Sequence, residues 1–476
     1  MKFETVIGIE VHCELKTKSK MFSSAPVSFG KKPNTQVHAI DLAMPGTLPS
    51  VNQKAVEMAI RVCHALHMDI QDLLSFDRKN YFYADLPKGY QITQHYHPIG
   101  SHGYIEIDVN QENMRIDIER LHLEEDTAKL THLSDESLID YNRAGIPLIE
   151  IVSKPQIKNS LQACAYLEAL RYLFIYTDVS DAVMAQGSMR CDINISLKPE
   201  TSQQYGVKVE IKNLNSLSNV QKAIDYEIQR QTALLLDGKP ILQQTRRFDE
   251  KTQTTVAMRN KETTADYRYY PEPNILPIKL DSKWIQQIKD KLPLLPKQRK
   301  DIYINQYQLS YNDARILIDH KELSDFYNQT VQICPHYQLV CHWLIGDVLS
   351  YLNKSHQSIH AILHVEDFAK LMHFVADKTL STKQAKQVLE LMMTKHKDPV
   401  SVIEEYHFQQ INDDHILMKV IDEILDYQPD LIKEYSQGKT KIVGFLVGQV
   451  MQKTNGQANP QKTNQLLMKE LEKRKQ

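Results

Sequence analysis

Two carboxylates flank an imidazole in Glu10-Val11-His12-Cys13-Glu14. On an extended strand side chains switch faces at every residue, so Ile9, Val11 and Cys13 take one side while Glu10, His12 and Glu14 take the other. Such a face can hold a divalent cation or run acid–base chemistry; it can equally be a solvated strand edge with an incidental histidine. The theme recurs three times. Leu121-His122-Leu123-Glu124-Glu125-Asp126 places acids at the end of a strand-like run. From Met189 to Ser196, Arg190, Asp192, Asn194 and Ser196 oppose Cys191, Ile193 and Ile195. Lys208-Val209-Glu210-Ile211-Lys212 gathers Lys208, Glu210 and Lys212 on one side. If these strands share a sheet, one face collects Glu10, His12, Glu124 or Glu125, Asp192 and Glu210. That oxygen-rich set with one imidazole suits Mg²⁺ or Mn²⁺ rather than zinc, and a cation relieves the repulsion among the acids.

Basic groups accompany them: Lys79, Lys88, Arg143, Arg190, Lys212, Arg246, Arg247 and Arg268. Carboxylates, a metal and several cations are the parts of phosphoryl transfer from a nucleotide; taken singly, each cation is equally a surface ion pair of little weight. Other motifs fail. Gly438-Lys439-Thr440 has the ending of a P-loop, but Lys433 stands where that pattern needs glycine. His95, His97 and His102 lie in a turn-rich region and read as bystanders, and Ser23, Ser24 and Ser216 have no evident base partner.

The elements that must position these groups are strands at 5–15, 103–109, 114–119, 146–152, 188–197 and 206–212. Between them, residues 54–68 carry an apolar helical stripe through Met58, Val62 and Leu66. Ser160 can cap a second helix, and a third begins at Asn219 and stops near Gly238-Lys239-Pro240. Prolines 271, 273, 277, 293 and 296 mark a boundary, beyond which the spacing is helical. Residues 401–432 hold eight acids and one base, and 433–476 nine bases and three acids. That split is either a solvated helix face or a set of phosphate contacts to an RNA.

The 476 residues exceed one ordinary core, and the net charge of −2 gives no global basic field. Six cysteines, none in a C-x-x-C pair, read as reduced thiols rather than a disulfide framework. No secretion signal or membrane span is expected.

Longer motifs carry a resemblance. They include Gly8-Ile9-Glu10-Val11-His12, Phe76-Asp77-Arg78-Lys79-Asn80-Tyr81, Asp85-Leu86-Pro87-Lys88-Gly89-Tyr90 and Asp140-Tyr141-Asn142-Arg143-Ala144-Gly145. Glu210-Ile211-Lys212-Asn213-Leu214-Asn215, Met258-Arg259, Asp266-Tyr267-Arg268-Tyr269-Tyr270 and Gly456-Gln457-Ala458-Asn459-Pro460 continue the series. The chain resembles the B subunits of bacterial glutamyl/aspartyl-tRNA amidotransferases from end to end. The resemblance implies an α+β fold: a sheet-based cradle related to the glutamine synthetase catalytic fold over 1–292, a helical domain over 293–400 and a tRNA-binding helical tail over 401–476. It implies a cytoplasmic, glutamine-dependent carbon–nitrogen ligase that uses ATP and Mg²⁺. Its partners in a heterotrimer would be the amidase, or A, subunit together with the small C subunit; misacylated tRNA would be the substrate, with no membrane involved. The side-chain carboxylate of Glu on tRNA(Gln) or Asp on tRNA(Asn) would be phosphorylated, then converted to the amide by ammonia from the amidase.

By position, Glu10, His12, Glu124, Glu125, Asp192 and Glu210 would surround the metal, and Arg190, Lys212, Arg247 and Arg268 the ATP phosphates. Lys79, Lys88, Tyr81 and Arg143 would line the ammonia entrance or the acyl site, with Glu125 reaching the chemistry as well. Many relatives hold zinc through cysteines after the first strand. Here that segment reads Phe22-Ser23-Ser24-Ala25-Pro26 and Val37-His38-Ala39-Ile40-Asp41, so no zinc is expected. Two further readings stand beside this one: a ligase acting on a free amino acid, and a tRNA-binding scaffold without catalysis.

Overall fold

The computed structural model describes residues 2–260, 267–408, 413–436, 439, 441–454 and 456–474. Of the motif residues above, Asp266, Gly438 and Thr440 lie outside the described residues, as does the Arg259 side chain. The chain divides into two compact units, Met1–Gln298 and Arg299–Gln476.

Nine strands form the main sheet of the first unit: β1 (Phe3–Glu14), β2 (Asp69–Ile70), β3 (Gly100–Val109), β4 (Glu112–Glu125), β5 (Pro147–Ser153), β6 (Met189–Pro199), β7 (Val209–Lys212), β8 (Gln244–Asp249) and β9 (Thr254–Asn260). Their spatial order is β9-β8-β7-β6-β1-β5-β4-β3-β2. Neighbours run antiparallel except β7 and β8, which are parallel. That pair needs a crossover, supplied by the helix between them. The stretches 114–119 and 121–125 belong to one long strand, β4, and Asp126 follows directly after its end.

The alternation in β1 sorts its two faces. Ile7, Ile9, Val11 and Cys13 are fully buried, and they join one apolar cluster with Ile149 and Ile151 of β5, Cys191 and Ile193 of β6, and Leu121 and Leu123 of β4. Three helices supply the rest of that core: α1 (Gln53–Ala65), α2 (Ser160–Tyr176) and α3 (Leu217–Leu236). Burying a single Leu- or Ile-sized side chain contributes about 1.5–3 kcal/mol, so this layer fixes the register of the polar face opposite. The helix starts differ from those expected. Asn159, not Ser160, caps α2 by accepting the Gln162 amide at 2.9 Å. Ser216 caps α3 by accepting the Asn219 amide at 3.1 Å, which puts Asn219 inside the helix.

A small sheet of Asp77–Asn80, Tyr90–Thr93 and Tyr270–Pro271 brings Lys79 toward the polar face.

The second unit is built from helices. Those used below are α4 (Lys321–Ile333), α5 (Tyr337–Trp343), α6 (Val365–Ala376), α7 (Asp414–Asp426), α8 (Pro429–Ser436), α9 (Lys441–Lys453) and α10 (Pro460–Arg474). Leu417, Ile421, Leu425, Leu446, Val450, Leu467 and Leu471 give α7 to α10 an apolar cluster of their own. The acidic and basic halves of this tail are not separate fields. Lys453 pairs with Glu423 at 2.6 Å, Lys462 with Asp414 at 2.7 Å, and Arg474 with both Asp422 and Asp426 at 2.7 and 2.6 Å. No helix among the described residues is long and apolar enough to cross a membrane.

Candidate active site

Strand pairing assembles the site. In antiparallel sheets directly opposed residues point the same way. His12 lies opposite Glu150 on one side and Arg190 on the other, and Glu10 lies opposite Asp192. Glu150 in turn opposes His122. Asn194 opposes Glu210, which sits beside Thr245 of β8, and Lys212 sits beside Arg247. One polar face therefore runs across β8, β7, β6, β1, β5 and β4.

At its centre two imidazoles and two carboxylates alternate. His12 Nε2 lies 3.5 Å from Glu124 and 3.3 Å from Glu150; His122 Nε2 lies 3.6 and 3.2 Å from the same two carboxylates. Burial alone would favour neutral rings, but Glu150 and Glu124 outweigh it and push both imidazoles up to about 9. Glu150 is the mirror case: burial would raise it, while His122 and His12 hold it well below the usual carboxylate range. Burial and the Glu150 charge raise Glu10, against a 2.9 Å hydrogen bond donated by Asn194. Lys79 is drawn up in pKa despite its burial by Glu124, Tyr269 and Glu150.

His12, Glu124 and Glu150 offer three ligand atoms within 4.8 Å of one another, and buried His122 Nδ1 has no hydrogen-bond partner among the described residues. With Glu10 on the same strand as His12 and Asp192 on the neighbouring β6, this mostly oxygen set fits Mg²⁺ or Mn²⁺. The cation would take the place of the imidazole protons.

Those protons also couple the site to stability. Both rings titrate near 6.5 when unfolded and near 9 when folded. The folded state then binds protons more tightly, so the stabilisation is complete below pH 6.5 and is lost as pH rises through about 9. For protein kept metal-free with a chelator, the urea midpoint is expected to fall across that window. His122→Gln should show a shallower fall, and an unchanged slope would contradict the ring arrangement.

Three satellite centres surround the ring. Lys212 binds Asp192 at 2.5 Å and Glu210 at 3.2 Å, and Thr245 Oγ1 donates to Glu210 at 2.8 Å. Arg190 binds Asp126 at 2.7 Å beside Glu14. Burial and the Asp126 charge push the Glu14 carboxyl up to about 7. Arg143 donates to the carbonyls of Thr127 and Ala128 at 2.8 and 2.9 Å. Lys88 pairs with Glu125, which also accepts the Ile92 amide at 3.0 Å.

The structure thus gathers Glu10, His12, Glu124 and Asp192 as the sequence suggests. Glu210 shares the face, held by Lys212 and Thr245, and Asp192 is held by the same lysine. Glu125 departs from expectation. It follows Glu124 directly, so the strand turns it to the opposite side, where Lys88 engages it. Among the proposed phosphate ligands, Lys212 and Arg190 carry acidic partners. Arg247 is half-exposed near Asp249, at 3.9 Å, and Arg268 is exposed with a left-handed backbone (φ 46°). Glu150, His122, Glu14 and Asp126 lie outside the expected ligand sets. The clue for Glu150 is a lone acid inside the apolar run Pro147-Leu148-Ile149-Glu150-Ile151-Val152.

Comparison with known proteins places this chain in a class. A family model described as the GatB/GatE catalytic domain matches residues 5–286, and one described as the GatB domain matches 325–471. The aspartyl/glutamyl-tRNA(Asn/Gln) amidotransferase B subunit of Macrococcus caseolyticus is 49% identical over 475 residues, covering 100% of both chains. The corresponding B subunits of Staphylococcus saprophyticus and Staphylococcus carnosus are 49% and 48% identical over the same full span. The chain belongs to the family of aspartyl/glutamyl-tRNA(Asn/Gln) amidotransferase B subunits.

Proposed function

We propose that this chain converts Glu on misacylated tRNA(Gln), Asp on misacylated tRNA(Asn), or both, to the corresponding amide. It does so as the B subunit of a heterotrimeric glutamine-dependent ligase, with an amidase as the A subunit, a small C subunit, and cytoplasmic tRNA as partners. The observation that carries the reading is the polar sheet face, in a chain matched to full-length relatives of that name.

A carboxylate is a poor acyl donor because oxide would have to leave. In the proposed route its oxygen attacks the γ-phosphorus of ATP, ADP departs, and ammonia then attacks the acyl carbon as phosphate leaves. Bound Mg²⁺ would neutralise charge on the phosphate oxygens. Glu10, His12, Glu124 and Glu150, with Asp192, would hold it. Lys79, kept protonated by its acidic neighbours, presents a fixed cation to the incoming carboxylate or phosphate. Arg247 and Arg268 are exposed enough to reach a triphosphate; Arg190 and Lys212 would have to share their acids with it. Glu14, with a pKa near neutrality, can exchange a proton as the ammonia-derived nitrogen loses one. Arg143, fixed on backbone carbonyls, and Lys88, fixed on Glu125, would line the ammonia entrance or the acyl site from those positions. The kinship of the sheet to the glutamine synthetase cradle, and the division near residue 400 that sets off the tail, belong to the same proposal.

ATP turnover tests it. ADP release that requires Mg²⁺ and aminoacyl-tRNA supports the reading. Release with free glutamate or aspartate would favour a free-amino-acid ligase, and none at all a scaffold.

In the tail, most cations already have acidic partners, leaving Lys419, Lys441 and Lys469 without an ion pair among the described residues. Lys441→Glu/Lys469→Glu is expected to weaken tRNA binding several-fold and to lower the slope of log affinity against log salt by about 2. Identical slopes in filter-binding titrations would remove these lysines from the RNA contact.

A further inference from the structure

A second group of metal-ligating side chains lies in the helical unit, outside every motif used above. Cys334 closes α4, its amide donating to the Thr330 carbonyl at 2.8 Å. The chain then turns sharply at Cys334-Pro335-His336, where the His336 amide donates to the Cys334 carbonyl at 2.9 Å, and α5 begins at Tyr337. This turn puts a thiol and an imidazole on the same side two residues apart. The third member, His373, comes from the last turn of α6, with its ring edge-on to His336 at 6.1 Å between centroids. One sulfur and two ring nitrogens lie within 4.8 Å of one another.

We infer that Cys334, His336 and His373 form a site for Zn²⁺ that ties α6 to the α4–α5 turn. A tetrahedral zinc with Zn–S near 2.3 Å and Zn–N near 2.0 Å sets its ligand atoms roughly 3.5 Å apart, a contraction that small ring rotations achieve. Thiolate plus imidazole is the donor mixture that selects Zn²⁺ over Mg²⁺. The fourth position is open to water or to Asp377, which follows α6 and lies close enough to act on the Cys334 thiol. Without a metal, burial holds that thiol above its ordinary range, the His336 amide acts against this, and Asp377 adds to the rise; zinc would release the proton and keep the thiolate. The expectation of no zinc in this chain rests on the segment after β1, which is unrelated to these residues; a zinc bound here would overturn that expectation. The inference does not depend on the proposed enzymatic function.

Full-length protein stripped with chelator, then loaded with Co²⁺ as the probe, decides the matter. One equivalent should bind with the near-ultraviolet thiolate-to-cobalt charge-transfer band and strong visible bands of a tetrahedral site; Zn²⁺ should displace it and raise the melting temperature. Because His336 is exposed, His336→Ala keeps the fold and should weaken Zn²⁺ at least tenfold and abolish its effect on melting. Cys334→Ser should remove the charge-transfer band alone among the cysteine variants, with Cys341→Ser as the control. His12→Gln should leave the band intact. No thiolate band in the parent, or an unchanged band in Cys334→Ser or His336→Ala, would overturn the assignment.

Discussion

Glu150→Gln is expected to slow ATP-dependent phosphorylation of the aminoacyl side chain on the order of a thousand-fold, with tRNA affinity within about twofold of the parent. Both imidazoles of the central ring contact this one carboxylate, at 3.3 and 3.2 Å. The amide keeps the shape but removes the charge. The Glu150 charge is the largest influence raising His12 and His122 toward 9, so both rings move back toward 6.5 and an anionic metal donor is lost. Glu10→Gln should be milder, since Glu10 lies at the edge of the ring and already has a raised pKa. The decisive measurement is single-turnover ADP formation with saturating misacylated tRNA across a Mg²⁺ titration. Parent-like phosphorylation in Glu150→Gln at parental Mg²⁺ would remove the ring from the chemistry.

The second large effect falls on stability. The Lys88 and Glu125 side chains are 9% and 5% exposed and face each other. Removing one partner strands a buried charge, so Lys88→Met should lower unfolding free energy by about 3–5 kcal/mol. The double variant Lys88→Met/Glu125→Gln should recover part of that loss, because no charge is left unpaired. Chemical denaturation of the parent, Lys88→Met, Glu125→Gln and the double variant gives the coupling directly. The folded fraction of Lys88→Met should retain its parental Mg²⁺ requirement. A stable Lys88→Met protein with altered Mg²⁺ dependence would return Glu125 to the metal site.

How far such a site can be read from sequence depends on the strand. In β1 and β6 polar and apolar residues alternate cleanly, so Glu10, His12, Asp192 and Asn194 declare their face. In β5 apolar residues stand on both sides of the sheet, which hides Glu150 among them; its role emerges only when β1 and β4 supply histidines on either side. Glu124 and Glu125 show the reverse difficulty. Composition makes neighbouring acids look like partners, whereas the period of two separates them. The parallel β7–β8 pair brings Arg247 alongside Lys212 through a crossover helix, and no local pattern announces such pairing. The helix starts differ by one to three residues because two capping-competent residues stand near each end and geometry chooses between them.

The ion pairs that knit α7 to α9 and α10 also bear on selectivity among polyanions. A cell is crowded with ribosomal and messenger RNA, and an unopposed cationic surface adsorbs to all of it. Lys453, Lys462 and Arg474 already sit against carboxylates, so a phosphate that reaches these three must displace an internal anion before it gains a contact there. Promiscuous adhesion is thereby discouraged, and a ligand that docks must bring enough shape-matched surface to compensate for the exchange.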